Sequence, residues 1–131
     1  MEFYIGIGFH YRVNSNQIEA AINSCLKELN IDPSFLKGLC TVDFKVNEEL
    51  KKASSNLKIP IFSFSSEEIN SLDYSLSKSA ALEVLKIKGV AEPCAILAAK
   101  LAAKEKKLKF KLITRRVYKQ NITLAVVKCY I

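Results

Sequence analysis

The segment Asn121–Tyr130 is apolar at almost every position. A strand with one face in water alternates polar and apolar residues, whereas this segment requires apolar neighbours on both faces. We therefore predict a strand inside a sheet that helices cover on both sides. In the preceding segment Leu108, Phe110 and Leu112 alternate with lysines, and the short link Lys119-Gln120 predicts an antiparallel hairpin between the two strands.

The first half of the chain alternates short apolar segments with amphipathic ones. Phe3–Phe9, Leu39–Phe44 and Pro60–Phe64 are predicted strands, and helices are expected after the capping residues Asn14 and Asn47. Strand–helix–strand units of this kind connect parallel strands through right-handed crossovers. The first three strands should therefore be parallel.

Three further helices are expected before the final hairpin. They are predicted at the Ser65/Glu68 capping box, after Ser79 and at Glu92-Pro93. The fold class that follows is α/β, a three-layer α/β/α domain over residues 1–131. Its mixed sheet of about five strands closes in the C-terminal antiparallel hairpin.

Composition excludes several classes of protein. No apolar stretch reaches the roughly 18–20 residues needed to cross a bilayer, and no basic leader precedes the first strand. Cys25, Cys40, Cys94 and Cys129 lie in apolar segments, and with His10 as the only histidine they show no metal-binding spacing. We expect buried thiols in a cytoplasmic protein with no membrane partner, no metal and no cofactor.

The net charge is +7, and much of it lies in one stretch. Between residues 100 and 119, Glu105 is the only acidic residue among nine basic ones. Such a stretch is either a solvated face or a surface that attracts an anion, namely nucleic acid or a polycarboxylate small molecule. RNA-binding modules interleave exposed aromatic residues for base stacking, and this stretch lacks them, so we predict no nucleic-acid partner.

In an open parallel sheet, ligands bind beyond the carboxyl ends of the strands. Here those ends run into Gly8–Arg12, Asp43–Lys45 and Phe64-Ser65, so a site is expected at their common edge. Gly6 and Gly8 do not make a dinucleotide-binding fingerprint, because the position of its third glycine is occupied by Tyr11.

Several side chains near this edge have two interpretations each. His10 is a general acid or base, or an ordinary loop residue. Asp43 and Lys45 lie two apart in a predicted strand, so they form a surface ion pair or together orient an anionic substrate. Glu92 caps a helix or takes part in chemistry. Bidentate binding of carboxylates is available to Arg115 and Arg116.

Six segments form a recognisable pattern when they are read in order. They are Gly6–Gly8, Ile18–Ile22, Thr41–Lys45, Phe64–Ile69, Gly89–Ala99 and Ile122–Val126. Together they resemble the CbiG C-terminal/CobE family of cobalamin biosynthesis, whose most specific stretch reads GVAEPAALLAA. The match departs at Phe9–Arg12, where the family has a cysteine, two basic residues and a glycine, and at Arg115-Arg116, where it has Pro-Lys.

The resemblance implies a role in synthesis of the corrin ring. Full-length CbiG proteins are associated with hydrolytic opening of a lactone on cobalt-precorrin-5A, which releases acetaldehyde, and CobE-like proteins consist of this domain alone. The chain is thus expected to bind a precorrin or cobalt-precorrin intermediate, either in that hydrolysis or as a non-catalytic carrier or subunit. Because Met1 leads directly into the first strand, we expect the N-terminal part of CbiG to be a separate protein.

The resemblance also suggests roles for individual residues. Glu92 and His10 are the catalytic candidates, each as a general base, with Lys45 stabilising the developing negative charge. The expected substrate-binding residues are Gly8, Tyr11, Arg12, Thr41, Asp43, Lys45, Phe64, Ser65, Gly89 and Arg116. We expect these residues around one cationic pocket sized for a macrocycle with many carboxylates.

Overall fold

The computed structural model describes residues 1–70 and 90–131 of the chain. The predicted helix after Ser79 lies outside these residues. The described elements, in chain order, are β1 (Glu2–Gly8), α1 (Ser15–Glu28), β2 (Leu36–Val42), α2 (Glu48–Leu57), β3 (Ile61–Phe64), α3 (Ser66–Asn70), α4 (Ala91–Lys106), β4 (Lys109–Tyr118) and β5 (Ile122–Tyr130). Short 3-10 turns occupy Pro33–Phe35, Asp43–Lys45 and Lys119–Asn121.

Within the described ranges, the strands form one mixed sheet in the order β3-β2-β1-β5-β4. β1, β2 and β3 are parallel, whereas β5 is antiparallel to both β1 and β4. β5 therefore lies inside the sheet, as its apolar sequence predicts. The side chains of Leu124 and Val126 enter one core, and those of Ala125 and Val127 enter the other.

Two cores on opposite faces of the sheet make the domain three-layered. One core joins the sheet to α1 and α2 through residues such as Ile18, Ile22 and Leu50. The other joins it to α3 and α4 through Ile69 and the small side chains of α4. The predicted α/β/α architecture with a mixed sheet is confirmed.

The helix starts follow local hydrogen-bonding rules. The side chain of Asn14 accepts from the Gln17 backbone, and the Gln17 side chain returns a bond to Asn14, which completes a capping box at α1. Asn47 caps α2 by accepting from the Leu50 backbone. Both predicted caps are therefore confirmed. They could be predicted from the sequence because a cap depends only on residues a few positions apart.

The close approach of α4 to β1 depends on Gly6. A Cβ atom built at Gly6 would lie 1.7 Å from the carbonyl oxygen of Ala91 and 3.0 Å from the Cβ of Ala95. At Gly8 the nearest atoms, on Val90 and Ala91, would lie 3.9 Å away, which is ordinary contact. The first turn of α4 thus rests directly on the backbone of β1 at Gly6.

None of the helices described within residues 1–70 and 90–131 has both the length and the apolar character that a transmembrane span requires. The four cysteines are unpaired and buried, as predicted.

Substituting Gly6 by alanine should destabilise the protein. The added methyl group must displace α4 from the sheet, and overpacking of this kind costs about 1–3 kcal/mol or more. Chemical denaturation of Gly6→Ala measures the loss in unfolding free energy. Gly8→Ala is the matched control, for which we expect a change of about 1 kcal/mol or less. Equal stability of the two variants would contradict the close α4–β1 contact.

Candidate functional site

The carboxyl ends of the three parallel strands form one edge of the sheet, marked by Gly8, Val42 and Phe64, which we call the carboxyl edge. The first turn of α4 lies at this edge, since a Cβ atom built at Gly8 would lie 3.9 Å from the side chains of Val90 and Ala91. Burial raises the pKa of the Cys94 thiol on α4 to about 12, and the negative charges of Asp43 and Glu68 add to this shift. The structure thus brings the loops after β2 and β3 next to the start of α4.

Glu92 is a buried carboxyl group in the first turn of α4. It is only 8% exposed, and within the part of the chain that the structure describes it has no hydrogen-bond or ion-pair partner. Burial raises the pKa of Glu92 above its ordinary value, and the positive charge of Arg115 acts in the opposite direction. A carboxylate with a raised pKa is a stronger base than an ordinary one, and such shifts occur often at functional sites.

The two adjacent arginines of β4 lie on opposite faces of the sheet. Arg116 faces α1, where its Nη1 atom donates to Glu28 at 2.7 Å. Arg115 pairs with Ala125 on the face that α4 covers. The Nε atom of Arg115 is buried, and it has no hydrogen-bond partner among the described residues. The arginine on the same face as Glu92 is therefore Arg115 and not the expected Arg116.

The prediction that Asp43 and Lys45 project from one strand is wrong. β2 ends at Val42, and the next three residues form a 3-10 turn, so strand alternation no longer applies. Lys45 folds back to donate from Nζ to the Phe9 carbonyl at 2.8 Å, 6.0 Å from the centre of the Phe9 ring. Asp43 remains exposed and is not paired with Lys45. Lys45 therefore joins the ends of β1 and β2.

The aromatic side chains at the carboxyl edge differ in exposure. Phe64, expected as a ring contact, is 6% exposed and belongs to the core under α4. Tyr11 is 74% exposed, and the Arg12 guanidinium lies over its ring at 5.5 Å. Phe44, which the sequence interpretation did not select, is 72% exposed. Tyr11 and Phe44 are thus two strongly exposed aromatic side chains at this edge that a ligand can reach.

Two of the expected substrate-binding residues make structural hydrogen bonds. The Thr41 side chain is fully buried, and its hydroxyl donates to the Ile7 carbonyl at 3.0 Å between β2 and β1. Ser65 caps α3, because its hydroxyl accepts from the Glu68 backbone at 3.1 Å while the Glu68 carboxylate accepts from the Ser65 backbone. Gly89 lies outside the described residues.

The exposed His10 lies in a groove of about 480 Å³ beside the start of α1, and Glu92 is not among the residues that line it. Its remaining lining residues are Tyr11, Arg12, Val13, Gln17 and Gln120. Among the residues that the structure describes, no three side chains of His, Cys, Asp or Glu type lie together as a metal site would require.

The positive charge is divided between the two ends of the sheet. Lys106 ion-pairs with Glu2, the first residue of β1, so the end of α4 lies at the edge opposite the carboxyl edge. Lys111 and Lys128 pair across β4 and β5 at that end, and their Nζ atoms lie 5.6 and 6.0 Å from the centre of the Tyr130 ring. Most of the lysine-rich stretch is therefore distant from Glu92. Arg116, the expected substrate-binding residue within this stretch, is paired with Glu28.

Comparison with known proteins bears first on the fold. The chain superposes on CobE, a protein from the cobalamin (vitamin B12) biosynthetic pathway, with a TM-score of 0.72 at 19% identity, covering 96% of this chain and 89% of that one. A cobalamin biosynthesis protein G homologue from Sulfolobus solfataricus gives 0.68 at 24% identity, covering 99% of this chain and 37% of that one. Cobalamin biosynthesis protein chiG from Agrobacterium tumefaciens gives 0.63 at 17% identity, covering 95% and 96%.

Sequence comparison establishes the family. Cobalt-precorrin-5A hydrolase of Priestia megaterium is 30% identical over 94 residues, which are 71% of this chain and 25% of that enzyme. The chain thus spans a quarter of the length of this relative. The family model described as cobalamin synthesis G C-terminus matches residues 3–127. The resemblance predicted from the sequence segments is confirmed, and the chain belongs to the cobalamin synthesis G C-terminus family.

Proposed function

We propose that this chain binds a cobalt-precorrin intermediate at the carboxyl edge and takes part in hydrolysis of its lactone. The observation that carries the proposal is Glu92, a residue that is 8% exposed at this edge and whose carboxyl group has no hydrogen-bond or ion-pair partner among the described residues. Burying an unpaired carboxyl costs free energy. A protein that keeps such a group at a ligand-binding edge is expected to use it.

The proposed chemistry is attack of water on the lactone carbonyl. Glu92 accepts a proton from the water while the water oxygen bonds to the carbonyl carbon. The C–O bond of the lactone ring then breaks, and the leaving oxygen takes up a proton. The raised pKa of Glu92 makes it a stronger base than an ordinary carboxylate. His10 is the other candidate base, and it lies in the groove beside Tyr11.

The ligand class follows from the side chains at the carboxyl edge. Precorrin intermediates combine a large conjugated ring with many acetate and propionate arms. Tyr11 and Phe44 offer exposed rings to the macrocycle, and Arg12 offers a cation to a carboxylate. Four buried, unpaired cysteines support placement of this reaction in the cytoplasm, where thiols remain reduced.

A second candidate function is that of a non-catalytic carrier or subunit. It is supported by the extent of the match, since the 94 matched residues are 25% of the hydrolase from Priestia megaterium and the rest of that enzyme is a candidate for the catalytic part. In this case a CbiG N-terminal part supplies the catalysis, and the present chain contributes only pigment binding. Turnover by the isolated chain distinguishes the two functions.

Titration with cobalt-precorrin-5A should shift the visible absorption bands of the pigment. We expect the double variant Tyr11→Ser/Phe44→Ser to weaken binding by about 10-fold or more. Stacking of an aromatic side chain on a ring of nucleobase size contributes about 1–3 kcal/mol per contact. Phe35→Ser is the matched control, since Phe35 is also exposed but lies before the amino end of β2. Absence of any band shift with the unmodified protein would rule out pigment binding.

Glu92→Gln should abolish most of the acetaldehyde release and leave pigment binding intact. Removing a general base lowers kcat by about 10²–10⁴-fold, and Glu105→Gln, at the exposed far end of α4, should have no effect. If His10→Ala instead lowers kcat by this factor and Glu92→Gln keeps full activity, His10 is the base. Binding without turnover by the unmodified chain would support the carrier function instead.

Glu92→Gln should also stabilise the protein at neutral pH. The folded-state pKa of Glu92 is raised, so its contribution to stability is present at low pH and is lost as the pH rises through that value. Glutamine avoids this loss, so the stability gain of the variant should be small near pH 4 and grow towards pH 7. Thermal denaturation across this range measures the difference.

Glu49→Gln is a control for which we expect the opposite change in stability with pH. The Ser15 backbone amide donates to Glu49 at 2.9 Å, which lowers the pKa of that carboxyl. This variant should therefore lose stability towards neutral pH. A gain for Glu92→Gln that stays constant from pH 4 to pH 7 would contradict the burial of a titrating carboxyl group.

A further inference from the structure

Arg115 has an incomplete set of hydrogen bonds on the face of the sheet that α4 covers. Its Nε atom is buried, and within residues 1–70 and 90–131 it has no acceptor. Buried donors in proteins are nearly always bonded, so an unbonded one calls for an explanation. A guanidinium group can satisfy two oxygens of one carboxylate at once, through parallel N–H donors.

The surroundings of Arg115 leave its side chain next to the start of α4. The strand register aligns Gly6, Ala125 and Arg115 in one row across β1, β5 and β4. The first two residues of this row have little or no side chain, so α4 packs closely there. The adjacent row towards the carboxyl edge contains Gly8, Thr123 and Val117.

Glu92 is the acidic residue whose pKa responds to the positive charge of Arg115. The guanidinium charge acts on the Glu92 carboxyl, yet the two described side chains form neither an ion pair nor a hydrogen bond. The other carboxylates near the start of α4, Asp43 and Glu68, act on Cys94. Arg116 is already paired with Glu28 on the opposite face. The unpaired arginine beside Glu92 is therefore Arg115.

We propose that Arg115 binds a peripheral carboxylate of the corrinoid ligand and so places the reacting part of that ligand beside Glu92. This inference rests on the proposed function, and it adds the residue that recognises the acidic arms of the pigment. An arginine suits this role better than a lysine, because its planar donors fix the orientation of the carboxylate as well as its position. Neutralising Arg115 in this way leaves Glu92 in a less positive field, which favours proton uptake.

The test compares two corrinoid probes and two neighbouring arginines. The probes are cobyrinic acid, which has free carboxylates, and its fully methyl-esterified form, each titrated against the full chain by visible absorption. For the acid we expect Arg115→Gln to weaken binding by about 10–100-fold, the range of a lost charge-assisted hydrogen bond. Arg116→Gln, the matched control on the other face, should bind the acid as the unmodified protein does. The ester should bind equally weakly to all three proteins.

Each other outcome has a separate meaning. If the unmodified protein binds neither probe, the proposed function itself fails. If it binds the acid and Arg115→Gln binds equally well, or if both arginine variants weaken binding alike, the role of Arg115 is overturned while pigment binding stands. If Arg115→Gln does not fold, as judged by its thermal denaturation, Arg115→Lys replaces it. That variant keeps the charge but should lose most of the preference for the acid over the ester.

Discussion

The contact between the first turn of α4 and the backbone of β1 determines where the candidate site forms. Gly6 permits this contact because any side chain would occupy the space of the Ala91 carbonyl group. The helix consequently begins against the sheet at the carboxyl edge, and its second residue, Glu92, is withdrawn from water. The position of the proposed base is thus a consequence of backbone packing, since within residues 1–70 and 90–131 no hydrogen bond to its carboxyl group holds it there.

The energetic state of Glu92 follows from the same contact. An acidic residue in the first turn of a helix is normally stabilised by the helix dipole and by solvent. Close packing of α4 removes much of the solvent, and the pKa of Glu92 rises despite the nearby charge of Arg115. A carboxyl group with a raised pKa in the folded state makes the domain less stable as the pH rises, and perturbed pKa values of this kind occur both in structural positions and in functional sites.

The sequence predicted features that depend on neighbouring residues or on simple burial. The capping residues Asn14 and Asn47, the interior position of β5 and the three-layer architecture could all be derived in this way. The orientation of the two arginines could not. Phe110 and Leu112 face α4, so strict alternation would place Arg116 on that face, but the irregularity between Leu112 and Thr114 reverses the order. Similarly, the turn after Val42 exposes Phe44, and nothing in the local sequence requires the strand to end there.

Net charge is a poor guide to where an anion binds in this protein. The sequence concentrates its basic residues between positions 100 and 119, but the fold carries Lys106, Lys107 and Lys109 to the end of the sheet opposite the carboxyl edge. Near the proposed site, Lys45 is bonded to a main-chain carbonyl and Arg116 to Glu28, so both of these cations already have partners within the protein. The excess lysines can increase the rate at which a polyanionic ligand encounters the protein. Selection of one carboxylate arm over another must then come from short-range contacts at the site, for which Arg115 has the unused donor.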